Sequence, residues 1–327
     1  MHEGMRHSVR RIRGAIILFA LCAGIASPGA PPQFEKVGPH CYYLPMDEGK
    51  NVGAVVTEEG ILMVNPPAED VRAQVAEALR RISSKAVRWV VFTDPRYGRG
   101  ARHYAEEGAQ IIASARQQAL FARLRNTDMP HTEKPETKPG NSRTAEYPFP
   151  WLVFQRQAHV FPSNVDVRLL ALQNNARTGG DVVVHVPDEK VLFVGDLYES
   201  ARYPDIDAFL DGSAKGWFDG MNEVIRSIPL LKPAIPQQKP GITPGAAEEK
   251  TLEEGITVVS AQGKASNLQN MKDLLDAAQK LRNDISRAFR AGRSTESYLN
   301  SPGTDRYRAY GNFEPFAALL FETLSRQ

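Results

Sequence analysis

Cysteine is almost absent from this chain. Cys22 and Cys41 are its only two, so the disulfide framework that staples small secreted domains is excluded. Long apolar runs are missing too. Ala15–Ala23 is the longest, and it is short for a bilayer span. No charge sign is in excess: 40 basic residues stand against 38 acidic ones. That removes the electrostatic footprint of a nucleic-acid partner. Histidine is sparse, and His40 and His131 are not at metal-ligand spacing from anything. The turn glycines Gly98, Gly100, Gly179 and Gly180 are not followed by Lys-Ser/Thr, so they form no phosphate loop. There is no recognisable Ser-His-Asp arrangement and no short-period repeat.

What is present begins with a leader-like segment. Arg6, Arg10, Arg11 and Arg13 precede the apolar Ala15–Ala23, and Gly24-Ile25-Ala26 supplies small residues for cleavage. Residues 1–26 are therefore expected to be a signal peptide, which implies export to a periplasm or beyond. An uncleaved membrane anchor is the alternative. The segment holds four of the basic residues and one acidic one, leaving 36 against 37 in the remainder. Export would also leave Cys41 as the sole thiol, and the Tyr42-Tyr43-Leu44 run after it predicts burial.

Residues 27–33 read as a flexible lead-in. Short strands are expected at Cys41–Leu44, Asn51–Thr57 and Ile61–Val64, and a helix at Glu69–Ile82 from its apolar spacing. Residues 86–114 carry the organising unit. The apolar run Val87–Phe92 stops at Thr93, a polar loop follows, and Ala101–Glu107 then predicts a helix. A second apolar run, Ala109–Ala113, comes after it. Ligand sites in α/β sheets sit at such strand ends. Helix resumes at Ala115–Leu124, and Asn126–Pro150 reads as a Pro-rich excursion. Strands are expected at Trp151–Phe154, Ala158–Phe161 and Val165–Leu172. Asp181–Val186 and Val191–Val194 flank a Pro187–Lys190 turn, the pattern of a hairpin. A helical stretch at Phe209–Ile228, a Pro-rich loop at Pro229–Gly245 and a strand at Ile256–Ser260 come next. Long and final helices follow at Leu268–Ala291 and Pro315–Leu324. Tyr298, Tyr307, Tyr310 and Phe313 are expected to pack on the domain.

Several of these stretches resemble the metallo-β-lactamase superfamily. Asn51-Val52-Gly53 with Thr57 to Val64 is similar to its opening hairpin. Asp181 to Asp196 is similar to the hairpin that runs into a metal-binding Gly-Asp. The resemblance implies an α/β (α+β) fold, a four-layer αββα sandwich of two mixed sheets. The domain would span residues 34–265, and 266–327 would be a helical extension packed on it.

The same resemblance assigns the ligand positions. The family's Thr-His-x-His-x-Asp-His loop falls on Thr93, Asp94, Arg96, Gly98 and Arg99. Its third His falls on Arg177, its Gly-Asp on Gly195-Asp196, and its last His on Gln262. Only Asp196 is retained. Zinc in such sites lowers the pKa of a bound water. A guanidinium has no lone pair to offer and repels a dication. No zinc or other cofactor is expected, and no residue is assigned a catalytic role. Asp94 and Asp196 with His103 could form a makeshift metal site, or the two acids could pair with the arginines. Arg96, Arg99, Arg102 and Arg177 could instead converge on an anionic ligand, unless Asp94, Asp181 and Asp196 neutralise them. The expected role is a non-catalytic binding or accessory protein with a small-molecule or protein partner. A hydrolase with an atypical site is the alternative.

Overall fold

The computed structural model describes residues 31–46, 50–125, 147–230 and 255–326. The leader segment, most of the Pro-rich excursion with His131, and most of the Pro229–Gly245 stretch lie outside the described residues. No described helix is long and apolar enough to cross a membrane.

A strand buried on both faces reads as a continuous apolar run, and the period of two assigns each residue to a face. That rule builds the two sheets. The first has seven strands in sequential order. They are β1 (Glu35–Lys36), β2 (Cys41–Leu44), β3 (Val52–Val56), β4 (Ile61–Val64), β5 (Val87–Val91), β6 (Gln110–Ser114) and β7 (Leu152–Phe154). Pairing is antiparallel from β1 to β4 and parallel from β4 to β7. The second sheet has six strands, β8 (Gln157–Val160), β9 (Val167–Ala171), β10 (Val182–Val186), β11 (Val191–Gly195), β12 (Thr257–Ser260) and β13 (Ser266–Asn267). Only β11 and β12 run parallel there.

Alternation sorts the layers. Leu62 and Val64 of β4 face the second sheet, where they join Val182, Val184, Val191 and Phe193 in the central core. Ile61 and Met63 face the other way, onto helices α1 (Arg72–Ile82), α2 (Ala101–Glu106) and α3 (Ala115–Arg125). Val183, Leu192 and Val194 face outward from the second sheet. They pack on α4 (Ala214–Leu230), α5 (Leu268–Arg290) and α8 (Phe313–Ser325). Between α5 and α8 lie two short helices, α6 (Thr295–Leu299) and α7 (Asp305–Arg308). The result is the expected four-layer αββα sandwich.

The helical tail is an integral layer. β13 pairs antiparallel with β12 across the expected boundary at 265–266, and α5 continues directly from it. Asn267 caps α5 by accepting from the Asn270 amide, 2.9 Å. Gly292 (φ 74°) ends it, with Gly292 N–H donating to Phe289 O and Arg293 N–H to Ala288 O, a Schellman closure. Its buried stripe of Leu274, Leu275, Ala278, Leu281 and Ile285 anchors the layer. Truncating Leu281 to Ala there would cost about 2–5 kcal/mol. Tyr298, Tyr307 and Phe313 are buried as expected, and Cys41 is fully buried.

Helix α4 begins five residues later than expected. Asp207 caps a single 3-10 turn, Ala208–Leu210, and Asp211 then adopts φ 65°, which no helix continues. The α6 and α7 turns were not legible, because neither is long enough to show a period.

The two sheets are joined along both margins. On one, Gln155 and Arg156 alone carry the chain from β7 to β8, the edge strands of the two sheets. On the other, Asn51 donates from Nδ2 to Ser260 O (3.1 Å) and Gly263 O (2.8 Å). Its backbone N–H donates to Ala261 O at 2.7 Å, and Ala265 N–H donates to the Tyr43 hydroxyl at 3.1 Å.

Candidate functional site: a buried ion-pair network

Thr93 is held where β5 ends. Asn65, in the left-handed region at φ 58°, accepts from Thr93 N–H (2.8 Å) and Oγ1–H (3.0 Å). Thr93 O accepts from Val182 N–H at 2.9 Å, which links the strand ends of the two sheets. Asp94 follows in extended conformation. One of its oxygens caps a 3-10 turn, Pro95–Gly100, by accepting from Arg96 N–H at 2.8 Å. Asp-Pro at a turn entry supplies both the cap and the fixed φ.

The other Asp94 oxygen accepts from Arg177 Nη1 at 2.6 Å. Asp94 is 1% exposed and the Arg177 side chain 12%. Arg177 lies in the middle of the loop between β9 and β10. That loop is shaped by Asp181, which accepts from Thr178 N–H and Thr178 Oγ1–H, each at 2.8 Å. Arg177 O accepts from Asp207 N–H at 2.9 Å, and the Asp207 carboxylate accepts from Arg96 Nε at 2.6 Å.

Asp196 stands at the end of β11. Gly195 before it has φ 58°, and a Cβ there would lie 1.9 Å from Thr93 Oγ1, so only glycine fits. Asp196 accepts from Lys50 Nζ (2.5 Å) and from the Tyr97 hydroxyl (2.8 Å). Gln262, with its amide oriented to satisfy both neighbours, donates to Glu199 Oε1 (2.6 Å) and accepts from Lys50 Nζ (3.2 Å).

Of the positions expected at the pocket, Asp94, Arg96, Arg177, Asp196 and Gln262 thus enter one polar network. Three others point elsewhere. A Cβ on Gly98 would meet the Tyr147 ring at 2.5 Å and Phe121 at 2.8 Å, so this position packs on a stacked aromatic pair. Arg99 is exposed and hydrogen-bonds Tyr147. Arg102 is exposed on α2 and reaches Glu106 one turn on. His103 contacts Arg72 (2.9 Å) and Glu107 (3.0 Å), which sets it apart from the makeshift trio with Asp94 and Asp196. Lys50, Tyr97, Glu199 and Asp207 were missed. Tyr97 sits inside the Thr93–Arg99 loop at a position that carries no ligand in the motif, and the other three come from segments with no motif of their own.

Electrostatics follow from burial and pairing. Burial raises the Asp94 pKa, and Arg177 only partly offsets it. Burial, and then the Asp94 charge, push Asp181 up to about 7, against the Thr178 donors and Arg177. Burial would also raise Asp196, but Arg177 and Lys50 outweigh it and hold that carboxyl below its ordinary value. Burial would lower Arg177. The charges of Asp94, Asp196, Asp181 and Asp207 overcome this and raise it.

The fold family implies zinc, and the side chains here do not fit it. Guanidinium offers no lone pair, and the two carboxylates at ligand positions are each bridged by a side-chain cation. Among the described residues, no group of three or more His, Cys, Asp or Glu side chains is placed to hold a metal ion.

Neither a protein-family model nor a curated protein matches the sequence. Solved structures match the fold. The DIM-1 metallo-beta-lactamase aligns with a TM-score of 0.51 at 12% identity, over 76% of this chain and 96% of that one. FIM-1 from Pseudomonas aeruginosa, a metallo-beta-lactamase in its mono-zinc form, aligns with a TM-score of 0.52 at 13% identity, over 76% and 96%. The stereoselective inverting sec-alkylsulfatase Pisa1 from Pseudomonas sp. gives 0.58 at 12% identity, over 89% of this chain and half of its own. At such identities the likeness is one of architecture: the chain has the metallo-β-lactamase fold.

Proposed function

We propose that this is an exported, non-catalytic protein of the metallo-β-lactamase fold, whose degenerate metal site has become an internal salt-bridge network and which acts as a binding or accessory protein. The observation that carries this reading is the Arg177–Asp94 pair, 2.6 Å long and buried at a position where a metal ligand is expected. A site that activates water on zinc needs deprotonated donors facing an open coordination position. Here those donors already face cations. Arg96 and Arg177 are likewise engaged by Asp207 and Asp94, which favours the accessory reading over an arginine pocket for small anions.

The test is metal content and turnover of full-length protein purified without chelator. The expected result is substoichiometric zinc and iron, with no hydrolysis of ester, lactam or sulfate-ester substrates. Stoichiometric metal with turnover overturns the reading. Turnover without metal assigns the chain to the alternative, a hydrolase with an atypical site. Calorimetric titration with phosphate and small dicarboxylates separates off the anion binder, for which the expected heat is none.

A further inference from the structure

We propose that Arg177 is the tethered cation of this site: its guanidinium fills, as part of the chain, a place among buried carboxylates that otherwise demands a free cation. The proposal rests on the reading above. Its support is geometric. Arg177 Nη1 donates to Asp94 Oδ2 at 2.6 Å, with Asp94 buried and Arg177 largely so. The charges of Asp196, Asp181 and Asp207 act on the same guanidinium. Asp181 orders the loop that carries Arg177, through Thr178. Asp207 receives the Arg96 guanidinium and donates its own N–H to Arg177 O. Three loops therefore meet at Arg177, Asp94 through its guanidinium and Asp207 through its backbone carbonyl, while Asp181 shapes the adjoining turn.

The network holds further cations, and they differ in kind. Lys50 is 40% exposed and Arg96 39%, so water screens both. Arg177, its side chain 12% exposed, is the least solvated of the three. Its planar fork matches a carboxylate and cannot lose its proton, so the site holds a permanent cation at every ordinary pH. A metal centre supplies its charge only when loaded, and its affinity falls as its ligands protonate. A tethered guanidinium removes that dependence. The loops after β5 and β9 then close on each other as part of folding, with no second component required.

The proposal predicts a specific chemical rescue. Arg177→Ala leaves a guanidinium-sized space facing Asp94. This variant should melt roughly 10 °C below the parent, as expected for a broken buried pair in a domain of this size. Free guanidinium at about 20 mM should then raise its melting temperature by a few degrees relative to the same concentration of sodium chloride, by mass action on the folded state. The parent protein should show no such rise. Neither should Asp94→Asn/Arg177→Ala, which lacks the carboxylate partner.

Zinc in place of guanidinium should not rescue Arg177→Ala. If Arg177→Ala does not fold, Arg177→Lys keeps the charge and the proposal then expects a folded protein of intermediate melting temperature. An Arg177→Lys variant as unstable as Arg177→Met would overturn it. So would an absence of guanidinium rescue, or rescue by zinc alone; both leave the accessory reading standing. A parent protein whose melting temperature falls with chelator removes that reading and this proposal together.

Discussion

Among the described residues, two arginine–aspartate pairs are largely withdrawn from solvent, and they close different things. Arg168 donates from Nε and Nη2 to one oxygen of Asp166, each at 2.8 Å, with both side chains under 10% exposed. The partners lie two residues apart at the start of β9. The remaining Asp166 oxygen faces His159 Nδ1 at 3.3 Å, on the neighbouring strand. That pair is confined to one sheet. Arg177 and Asp94 lie 83 residues apart and join the loop after β9 to the loop after β5, one from each sheet. The chemistry is the same, and its structural reach is not. A buried ion pair often adds little net stability over an apolar replacement, yet breaking it leaves a charge stranded. The cost therefore depends on what else the survivor can find. Asp166 keeps His159 beside it. Asp94 keeps the Arg96 amide, which its cap already uses.

The largest effect follows directly. Arg177→Met should lose about 3–5 kcal/mol by urea titration, whereas Arg168→Met should lose about 1–3 kcal/mol because its carboxylate retains a partner. Equal losses would erase the distinction. The next effect is pH dependence. Asp181 is held up at about 7 in the fold, while an unfolded aspartate titrates near 4 (roughly). Between those values the fold binds a proton that the unfolded chain has lost. Stability should therefore fall as pH rises through that window, by up to about 1 kcal/mol per pH unit. Asp181→Asn should flatten the curve; urea midpoints from pH 4 to 8 measure it. Asp196, held low, works in the opposite sense. Its contribution is present above the ordinary carboxylate pKa and is lost in stronger acid. Lys50→Met comes third, at about 1 kcal/mol, because Lys50 is partly solvated and Tyr97 still donates to Asp196. The smallest effect is the most diagnostic. Chelator or added zinc should leave the melting temperature of the parent unchanged, and a shift of more than about 2 °C would place a metal in the site.

Much of the layering was legible in the chain because buried strands carry their own face code. Asp181-Val182-Val183-Val184 and Val191-Leu192-Phe193-Val194 alternate between two cores whatever the partner, so the hairpin and its burial could be read directly. The end of β5 at Thr93 was legible, whereas the Asp94 cap and the 3-10 turn after it read only as a polar loop. The network was only half legible. Pairing of Arg177 with an acid follows from charge alone, but which acid depends on loop shape. Gly98 and Arg99 sit one turn from the acids in sequence, yet the 3-10 winding of Pro95–Gly100 turns them toward Tyr147 and solvent. Lys50 and Asp207 carry no spacing, period or motif. Their roles exist only once β3 and the turn at Ala208–Leu210 are in place.

The way the sheets are bound has a mechanical consequence. Along the β7–β8 margin the sandwich is joined by covalent chain, two residues long. Away from that margin it is joined by hydrogen bonds, among them those of Asn51 to Ser260, Ala261 and Gly263, of His40 and Cys41 to Glu189, and of Val182 to Thr93. Covalent bonds do not open thermally and hydrogen bonds do, so the molecule has a hinge on one side and a clasp on the other. Separating the two faces of the central core therefore requires these bonds to break, while the β7–β8 connection stays closed. The covalent side of the sandwich is permanent, and the other is only as durable as its hydrogen bonds.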